Sequence, residues 1–256
     1  MFTDTHCHLN DSRYTDIDGI VKNFLDENVS LVINAGYNIE SSFRGEELSK
    51  AYDQVYFTAG IHPSDFADCT LDGLNKIKEL SFNPKCVGIG EIGLDYHWDY
   101  DKKSQYESFL KQIDLAYNLN LPISIHSRDA TEDMLNVLKN NKNKLSNGFI
   151  MHCFSGSRET ARILLDLGGY ISFAGTLTFK NANSLLEVAK YVPEDKMLTE
   201  TDSPYLSPHP FRGKTNEPKM VTLVVEKLAE LKNLSVEQVA YKVRKNTLNL
   251  YKKIIL

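Results

Sequence analysis

Short apolar runs rich in β-branched residues alternate with amphipathic helical patterns along the whole chain. Strands that are apolar on both faces are typical of a parallel sheet covered by helices. The eight predicted strands are Phe2–His6, Ser30–Ala35, Val55–Ala59, Cys86–Glu91, Pro122–His126, Gly148–His152, Tyr170–Ala174 and Lys196–Thr201. Eight strand–helix units in 256 residues match a TIM-type (β/α)8 barrel. An open doubly wound α/β sheet is the alternative, because periodicity does not show whether a sheet closes.

The segment between Asp202 and Lys219 interrupts this alternation. It holds four of the eight prolines, together with Arg212-Gly213-Lys214. A long irregular segment inside a compact domain is usually functional. Because it follows the last predicted strand, we expect it to lie over the mouth of the barrel. No linker divides the sequence, so residues 1–256 are predicted to form one domain.

The overall charge is mildly acidic, with 29 Lys and Arg against 34 Asp and Glu and a net charge of −5. This balance argues against a protein held on nucleic acid by bulk electrostatics, although cations and a few basic side chains in a cleft can still bind a phosphate. The four cysteines are scattered without a C-x-x-C pair and predict reduced thiols. The sequence shows neither a signal-peptide pattern nor a membrane-length apolar run, so we expect a cytoplasmic protein with no membrane association and no obligatory protein partner.

Two histidines close the first predicted strand, in Asp4-Thr5-His6-Cys7-His8. Side chains alternate along a strand, so His6 and His8 share one face while Cys7 points away. Two imidazoles that converge from one strand end suit a borderline ion such as Zn²⁺ or Mn²⁺. The alternative is a pair of histidines that cap a core strand and hydrogen-bond to the backbone.

Further imidazoles and carboxylates lie at the ends of other predicted strands. They are Glu91, His126, His152 and Asp202. The carboxyl ends of barrel strands meet at one mouth, where polar residues indicate an active site. Six ligands exceed one tetrahedral shell, which favours two divalent ions joined by a bridging carboxylate. Mixed nitrogen and oxygen ligands admit Zn²⁺, Mn²⁺, Fe²⁺ and Co²⁺, and Mg²⁺ less readily.

Other polar residues near the predicted mouth are candidates for contacts with substrate. His62 follows the third strand in Gly60-Ile61-His62-Pro63 and either binds a substrate oxygen or bonds to its own turn. Arg128, Arg212 and Lys214 either neutralise phosphates or are ordinary surface charges. Glu200 is expected to hydrogen-bond to a ligand rather than to be one.

A glycine pattern, Gly88-Ile89-Gly90-Glu91-Ile92-Gly93, matches the dinucleotide-binding fingerprint. That motif must open a helix and receive a pyrophosphate. Glu91 would repel the pyrophosphate, and the following Leu94-Asp95-Tyr96-His97-Trp98 does not begin a helix. We therefore interpret the glycines as positions of tight strand packing.

Taken together, these motifs resemble those of the TatD family of metal-dependent deoxyribonucleases, within the amidohydrolase superfamily. The resemblance runs nearly end to end. The segments that carry it are Asp4–Leu9 (DTHCHL), Ala59–Pro63 (AGIHP), Gly90–His97 (GEIGLDYH), Ile125–Ala130 (IHSRDA), His152–Gly156 (HCFSG), Ile171–Ala182 (ISFAGTLTFKNA), Glu200–Pro218 (ETDSPYLSPHPFRGKTNEP) and Asn246–Tyr251 (NTLNLY).

The resemblance implies a distorted TIM barrel with a two-ion site. It implies that His6, His8 and Asp202 hold one ion, that His126 and His152 hold the other, and that Glu91 bridges them. Two positions depart from the pattern common in the family. Ser64 stands where many relatives have a second histidine, and Phe211 stands where a more polar residue is common. Both departures concern contacts with substrate.

The activity implied by the resemblance is metal-assisted hydrolysis of a phosphodiester, with exonucleolytic trimming of single-stranded DNA from the 3′ end. In this hypothesis Glu91 and Asp202 are the catalytic carboxylates, and Asp202 orients or deprotonates the attacking water. His62, Arg128, Arg212 and Lys214 contact the DNA. One alternative is hydrolysis of a small amide or ester, or of an aminoacyl ester on tRNA, at the same site. The other is a binding or scaffold protein that has lost catalysis.

Overall fold

The computed structural model describes residues 1–255 as eight strands that alternate with helices. The strands are β1 (Phe2–Cys7), β2 (Val29–Ala35), β3 (Val55–Ala59), β4 (Cys86–Asp95), β5 (Ile123–Arg128), β6 (Phe149–Met151), β7 (Tyr170–Phe173) and β8 (Met197–Thr199). The helices are α1 (Ile17–Asp26), α2 (Ile39–Ala51), α3 (Leu71–Ser81), α4 (Lys102–Leu119), α5 (Thr131–Asn140), α6 (Arg158–Asp166), α7 (Asn183–Tyr191), α8 (Val221–Lys232) and α9 (Val236–Leu250). Short 3-10 helices occupy Pro63–Asp68, Lys142–Lys144, Gly175–Thr178 and Pro218–Met220.

All neighbouring strands pair in parallel, in the sequential order β1 to β8. This order confirms a TIM-type (β/α)8 barrel as a single domain, and the doubly wound alternative was wrong because no strand order reverses. The barrel is nearly closed. At the seam, the Thr5 hydroxyl donates to the Thr199 carbonyl at 3.0 Å. Beyond the strand ends, the amide of Asp202 donates to the His6 carbonyl at 2.9 Å.

Strand β4 is the largest departure from the predicted elements. It was expected to end at Glu91 and continues to Asp95 instead. A Cβ on Gly93 would lie 2.0 Å from the His126 carbonyl oxygen, so only glycine permits this approach of β4 to β5. Strands β6 and β8 are shorter than expected, at three residues each. No helix follows the glycine motif until Lys102, which agrees with the rejection of a dinucleotide fold.

Helix α4 spans 18 residues, Lys102–Leu119. Its Phe109 and Ile113 side chains are buried against the barrel, whereas Tyr117 is 43% exposed. Helix α9 begins with a capping box, in which Ser235 and Gln238 bond reciprocally. Among residues 1–255, no helix combines the length and apolar composition needed to cross a membrane.

Candidate metal centre

His6 and His8 lie on one face at the carboxyl end of β1, and both are buried. Their Nε2 atoms are 3.3 Å apart. The opposite nitrogen of His8, Nδ1, lies 3.2 Å from the Ala35 carbonyl oxygen, which leaves Nε2 free to face the mouth. Cys7 points the other way, with its thiol towards the Ile33 carbonyl. Strand alternation therefore brings two imidazole nitrogens to one point.

Glu91 stands at the centre of the site, on β4, with its carboxylate almost fully buried. Its Oε1 atom lies 2.9 Å from both His126 Nδ1 and His152 Nε2. Its Oε2 atom lies 3.4 Å from His6 Nε2 and 3.7 Å from His8 Nε2. Each carboxylate oxygen thus faces its own pair of imidazole nitrogens.

Asp202 is the second carboxylate that contacts the His6–His8 pair. Its Oδ1 atom lies 3.3 Å from His8 Nε2 and 3.8 Å from His6 Nε2. The residue adopts a left-handed conformation with φ of 53°, which aspartate tolerates better than most residues. This turn directs the side chain inward just beyond β8.

Outer carboxylates orient two of the histidines. Asp95 Oδ2 lies 3.0 Å from His126 Nε2, which favours a proton on Nε2, so that Nδ1 could bind a cation shared with Glu91. Glu200 Oε1 lies 3.3 Å from His152 Nδ1 and also accepts the amide of Cys153. Carboxylates behind ligating histidines fix ring orientation and tautomer.

Charges in the cluster shift the pKa values of its members in opposite directions. Burial alone would raise the pKa of Glu91, but the surrounding imidazoles outweigh it and hold the pKa well below its usual range. The pKa of Asp202 is lowered in the same way, chiefly by its hydrogen bond with His8. Burial opposes the charged form of His152, yet Glu91 and Glu200 raise its pKa well above the ordinary value. The carboxylates of the site therefore stabilise positive charge beside them.

The donor chemistry fits divalent cations. Several groups of three side chains place one ligand atom each within 4.8 Å of one another, including His6 with His8 and Glu91, and Glu91 with His126 and His152. The Nε2 atoms of His6 and His8, 3.3 Å apart, can hydrogen-bond when one ring donates to the other, and a cation between them could instead bind both lone pairs. Imidazole and carboxylate ligands suit Zn²⁺, Mn²⁺, Fe²⁺ or Co²⁺. The division of ligands between two ions stays a prediction.

His62 and Arg128 lie beside this cluster. The Nε2 atom of His62 is 3.7 Å from Glu91 Oε1, and its ring packs 4.4 Å from that of His126. Its Nδ1 atom bonds to Ser64 in the following turn. His62 therefore bonds to its own turn through Nδ1, while Nε2 faces the cluster, where it could bind a substrate oxygen. Arg128 is exposed at the end of β5, 5.9 Å from the ring of Trp98.

The two basic residues of the irregular segment contact aromatic rings rather than the histidines. The guanidinium of Arg212 lies 3.6 Å above the ring of Phe179, and the Lys214 amine lies 5.7 Å from that of Phe211. Both side chains are exposed. Their contact with substrate stays a prediction.

Sequence reasoning missed Asp95 and Asp4. Asp95 follows Glu91 by four residues on the same strand, so period-two alternation could have placed both on one face, had the strand been extended past the glycines. Asp4 is fully buried and accepts from the hydroxyl and amide of Thr201, at 2.6 and 2.9 Å. These bonds tie β1 to the segment after β8 and so align His6 with Asp202.

Comparisons with known proteins place this geometry in a class. A family-wide sequence profile described as TatD related DNase matches residues 3–252. The chain is 46% identical over 254 residues to YabD of Bacillus subtilis, covering 98% of this chain and 99% of that protein. It is 38% identical over 256 residues to YcfH of Escherichia coli K12, covering 98% and 96%. Both relatives are described as uncharacterized metal-dependent hydrolases.

A solved structure agrees with these matches. The TatD homologue YjjV of Escherichia coli K12 superposes with a TM-score of 0.92 at 28% identity, covering 98% of each chain. Fold, site and comparisons together define a metal-dependent hydrolase built on a (β/α)8 barrel. Because the profile and relatives cover almost the whole chain, the protein belongs to the TatD family.

Proposed function

We propose that this hydrolase cleaves phosphodiester bonds in DNA and trims single strands from the 3′ end. The observation that carries the proposal is the central carboxylate of Glu91, whose two oxygens each face a separate pair of imidazole nitrogens. That arrangement suits two adjacent divalent ions, a common device for in-line displacement at phosphorus. The description of the matching family profile as DNase-related supports DNA as the polymer.

The side chains divide the chemistry among them. Two bound divalent ions would polarise the phosphoryl oxygen and supply a hydroxide near neutral pH. Asp202, whose carboxylate is 15% exposed, is the carboxylate we assign to orient the attacking water and accept its proton. Glu91 is more deeply buried and sets the spacing of the two ligand groups. Asp95 lies against the ring of His126, and Glu200 lies against the ring of His152. These two carboxylates hold the rings in place.

The surroundings of the site support a polymeric strand over a small substrate. Exposed aromatic side chains stand near the mouth, with Trp98 54% and Tyr205 47% exposed. Single-stranded nucleic acid is held largely by bases stacked on such rings and by basic side chains along the backbone. Arg128 lies close to Trp98 and is the basic residue we assign to a phosphate, with His62 facing the same region. Arg212 and Lys214 would contact the strand further from the ions.

The test is a substrate panel with purified protein loaded in turn with Mg²⁺, Mn²⁺, Zn²⁺ or Co²⁺. Single-stranded DNA labelled at its 5′ end should yield a ladder of products shortened by single nucleotides, and a 3′-blocked strand should resist. Aminoacyl-tRNA and small amides and esters are included as competitors. Cleavage of one of these, without cleavage of DNA under any ion, would overturn the nuclease assignment.

Two variants separate the site from contaminating activity. His126→Ala removes an imidazole 2.9 Å from Glu91 and should abolish turnover while the fold is retained. His97→Ala is the matched control, because His97 is exposed and pairs with Asp129 outside the central cluster. Equal activity of His126→Ala and the wild type would contradict the proposed ligands. Metal analysis far below one ion per chain after loading would favour a scaffold protein instead.

A further inference from the structure

An arginine and a tyrosine stack on the side of the mouth formed by the segments that follow β1 and β8. The guanidinium carbon of Arg13 lies 4.1 Å from the centre of the Tyr205 ring. Asp11 holds the guanidinium by two bonds, from Nε at 2.8 Å and from Nη2 at 2.7 Å. Such a bidentate bond fixes the plane of the guanidinium as well as its position.

This stacked pair lies next to the metal centre. The Tyr205 ring is 6.1 Å from the His8 ring. Buried Asn216 donates to the carbonyls of Tyr205 and Thr201, at 2.6 and 2.9 Å, and its own carbonyl accepts the hydroxyl of Tyr14 at 2.5 Å. These bonds join the two segments that carry the pair, so the platform is held in place beside the site.

The platform is nevertheless open to solvent. Arg13 retains 45% of its side-chain exposure, and Tyr205 is 47% exposed. A residue that served only to clamp two loops would be expected to bury its ring and guanidinium. An exposed, flat, prearranged surface is the form in which proteins receive a planar group.

We propose that the Arg13–Tyr205 pair, oriented by Asp11, is a subsite that stacks a nucleobase of the DNA strand next to the scissile nucleotide. The proposal rests on the proposed function and deepens it. Arg13 contacts the base through the flat face of its guanidinium and not through its charge. The reason is that Asp11 neutralises the guanidinium and occupies two of its five N–H donors. Among residues 1–255, no carboxylate pairs with Arg128 in this way, which makes Arg128 the better phosphate contact.

The experiment compares steady-state kinetics on two substrates. One is a short single-stranded oligonucleotide, and the other is bis(p-nitrophenyl) phosphate, a phosphodiester without a base. Arg13→Lys keeps the charge and loses the plane, and Tyr205→Ala removes the ring. Each should raise KM for the oligonucleotide about tenfold with kcat unchanged, because stacking contributes equally before and during reaction. Hydrolysis of the small phosphodiester should stay at the wild-type rate.

Two further measurements isolate the base. Placing an abasic nucleotide next to the 3′ end should raise KM for the wild type to the value of the variants and leave the variants unchanged. Arg44→Lys and Tyr241→Ala are the matched controls, since both residues are exposed and lie on helices α2 and α9. Neither control should alter KM on either substrate.

Several results would overturn the subsite. One is a wild-type KM in Arg13→Lys, and another is an equal loss of activity on both substrates. A third is a ratio of variant KM to wild-type KM that stays the same on the abasic strand. Direct binding of a fluorescein-labelled oligonucleotide separates the two proposals. If the wild type binds DNA through Arg13 but cleaves none, the nuclease proposal fails and the subsite stands. If the wild type binds no oligonucleotide, both fail.

Discussion

Replacing Asp95 with asparagine tests whether the outer carboxylate behind His126 prepares the site for a cation. Asp95 is buried, at 3% exposure, and its Oδ2 atom lies 3.0 Å from His126 Nε2. Its Oδ1 atom accepts the amide of His97, and buried Gln105 bonds to both backbone groups of Asp95. The side chain is therefore held in one position, and asparagine fits the same space.

The size of the effect follows from what the substitution removes. The bond to His126 loses its charge, and charged hydrogen bonds are about twice as strong as neutral ones. If the amide turns its NH₂ group towards His126, the imidazole proton moves to Nδ1, the atom that lies 2.9 Å from Glu91. Loss of such an outer partner costs about 10- to 100-fold in metal affinity or activity. This range corresponds to about 1.4–2.7 kcal/mol.

The assay titrates Zn²⁺ or Mn²⁺ into metal-free protein and follows both calorimetric binding and cleavage. The half-saturating metal concentration of Asp95→Asn should rise about 10- to 100-fold, with cleavage recovering when the ion is in excess. Asp129→Asn is the matched control, because Asp129 forms a comparable bond with His97, 3.1 Å long, but is 65% exposed. A wild-type midpoint in Asp95→Asn would refute the role assigned to this carboxylate.

Three further predictions concern stability. A methyl group on Gly90 would lie 2.6 Å from Ser124 Cβ, so Gly90→Ala should lower the free energy of unfolding by about 1–3 kcal/mol, and an unchanged Tm would contradict the close contact of β4 with β5. Asn216→Ala leaves the carbonyls of Thr201 and Tyr205 without their donor and should lower the free energy of unfolding by about 2–4 kcal/mol in a denaturant titration, and an unchanged midpoint would contradict this role of Asn216. A metal ion present at 100 times its Kd stabilises the folded state by about 2.7 kcal/mol, so removing the metal with a chelator should lower Tm by the corresponding amount. Adding the metal back should restore Tm. Identical melting curves with and without chelator would argue against metal binding by the folded state.

The barrel was predictable because its signal is repeated eight times. Each short apolar run predicts one strand independently of the others. An error of one or two residues at a strand end therefore does not change the predicted order of strands. The convergence of the histidines followed from the same signal, since His6 and His8 alternate with Cys7 and parallel strands end at one mouth. Local sequence was therefore enough to predict both the architecture and the place where the candidate ligands meet.

The features that the sequence did not predict depend on contacts between segments that are distant in the chain. Strand β4 continues past Glu91 because Gly93 allows contact with the His126 backbone, and a glycine-rich run gives no local sign of this. Asp95 was missed with that extension. The stacking of Arg13 on Tyr205 joins residues that are 192 positions apart in the chain, and no periodicity in the sequence connects them.

Charge in and around the site gives an argument for two ions that is independent of the family resemblance. Four carboxylates contact the histidine cluster directly, namely Glu91, Asp95, Glu200 and Asp202. Asp4 is also buried nearby, and burial raises its pKa well above the usual range, but it bonds to Thr201 and not to a histidine ring. Buried charges are costly unless they are paired. Without metal, the raised pKa values of His8, His126 and His152 favour protonated imidazoles beside the carboxylates, whereas two divalent cations would balance four carboxylates with the histidines neutral. A single ion would leave the remaining charge to be balanced by protonated imidazoles, which cannot bind metal through a protonated nitrogen, so we expect metal analysis of the loaded protein to approach two ions per chain rather than one.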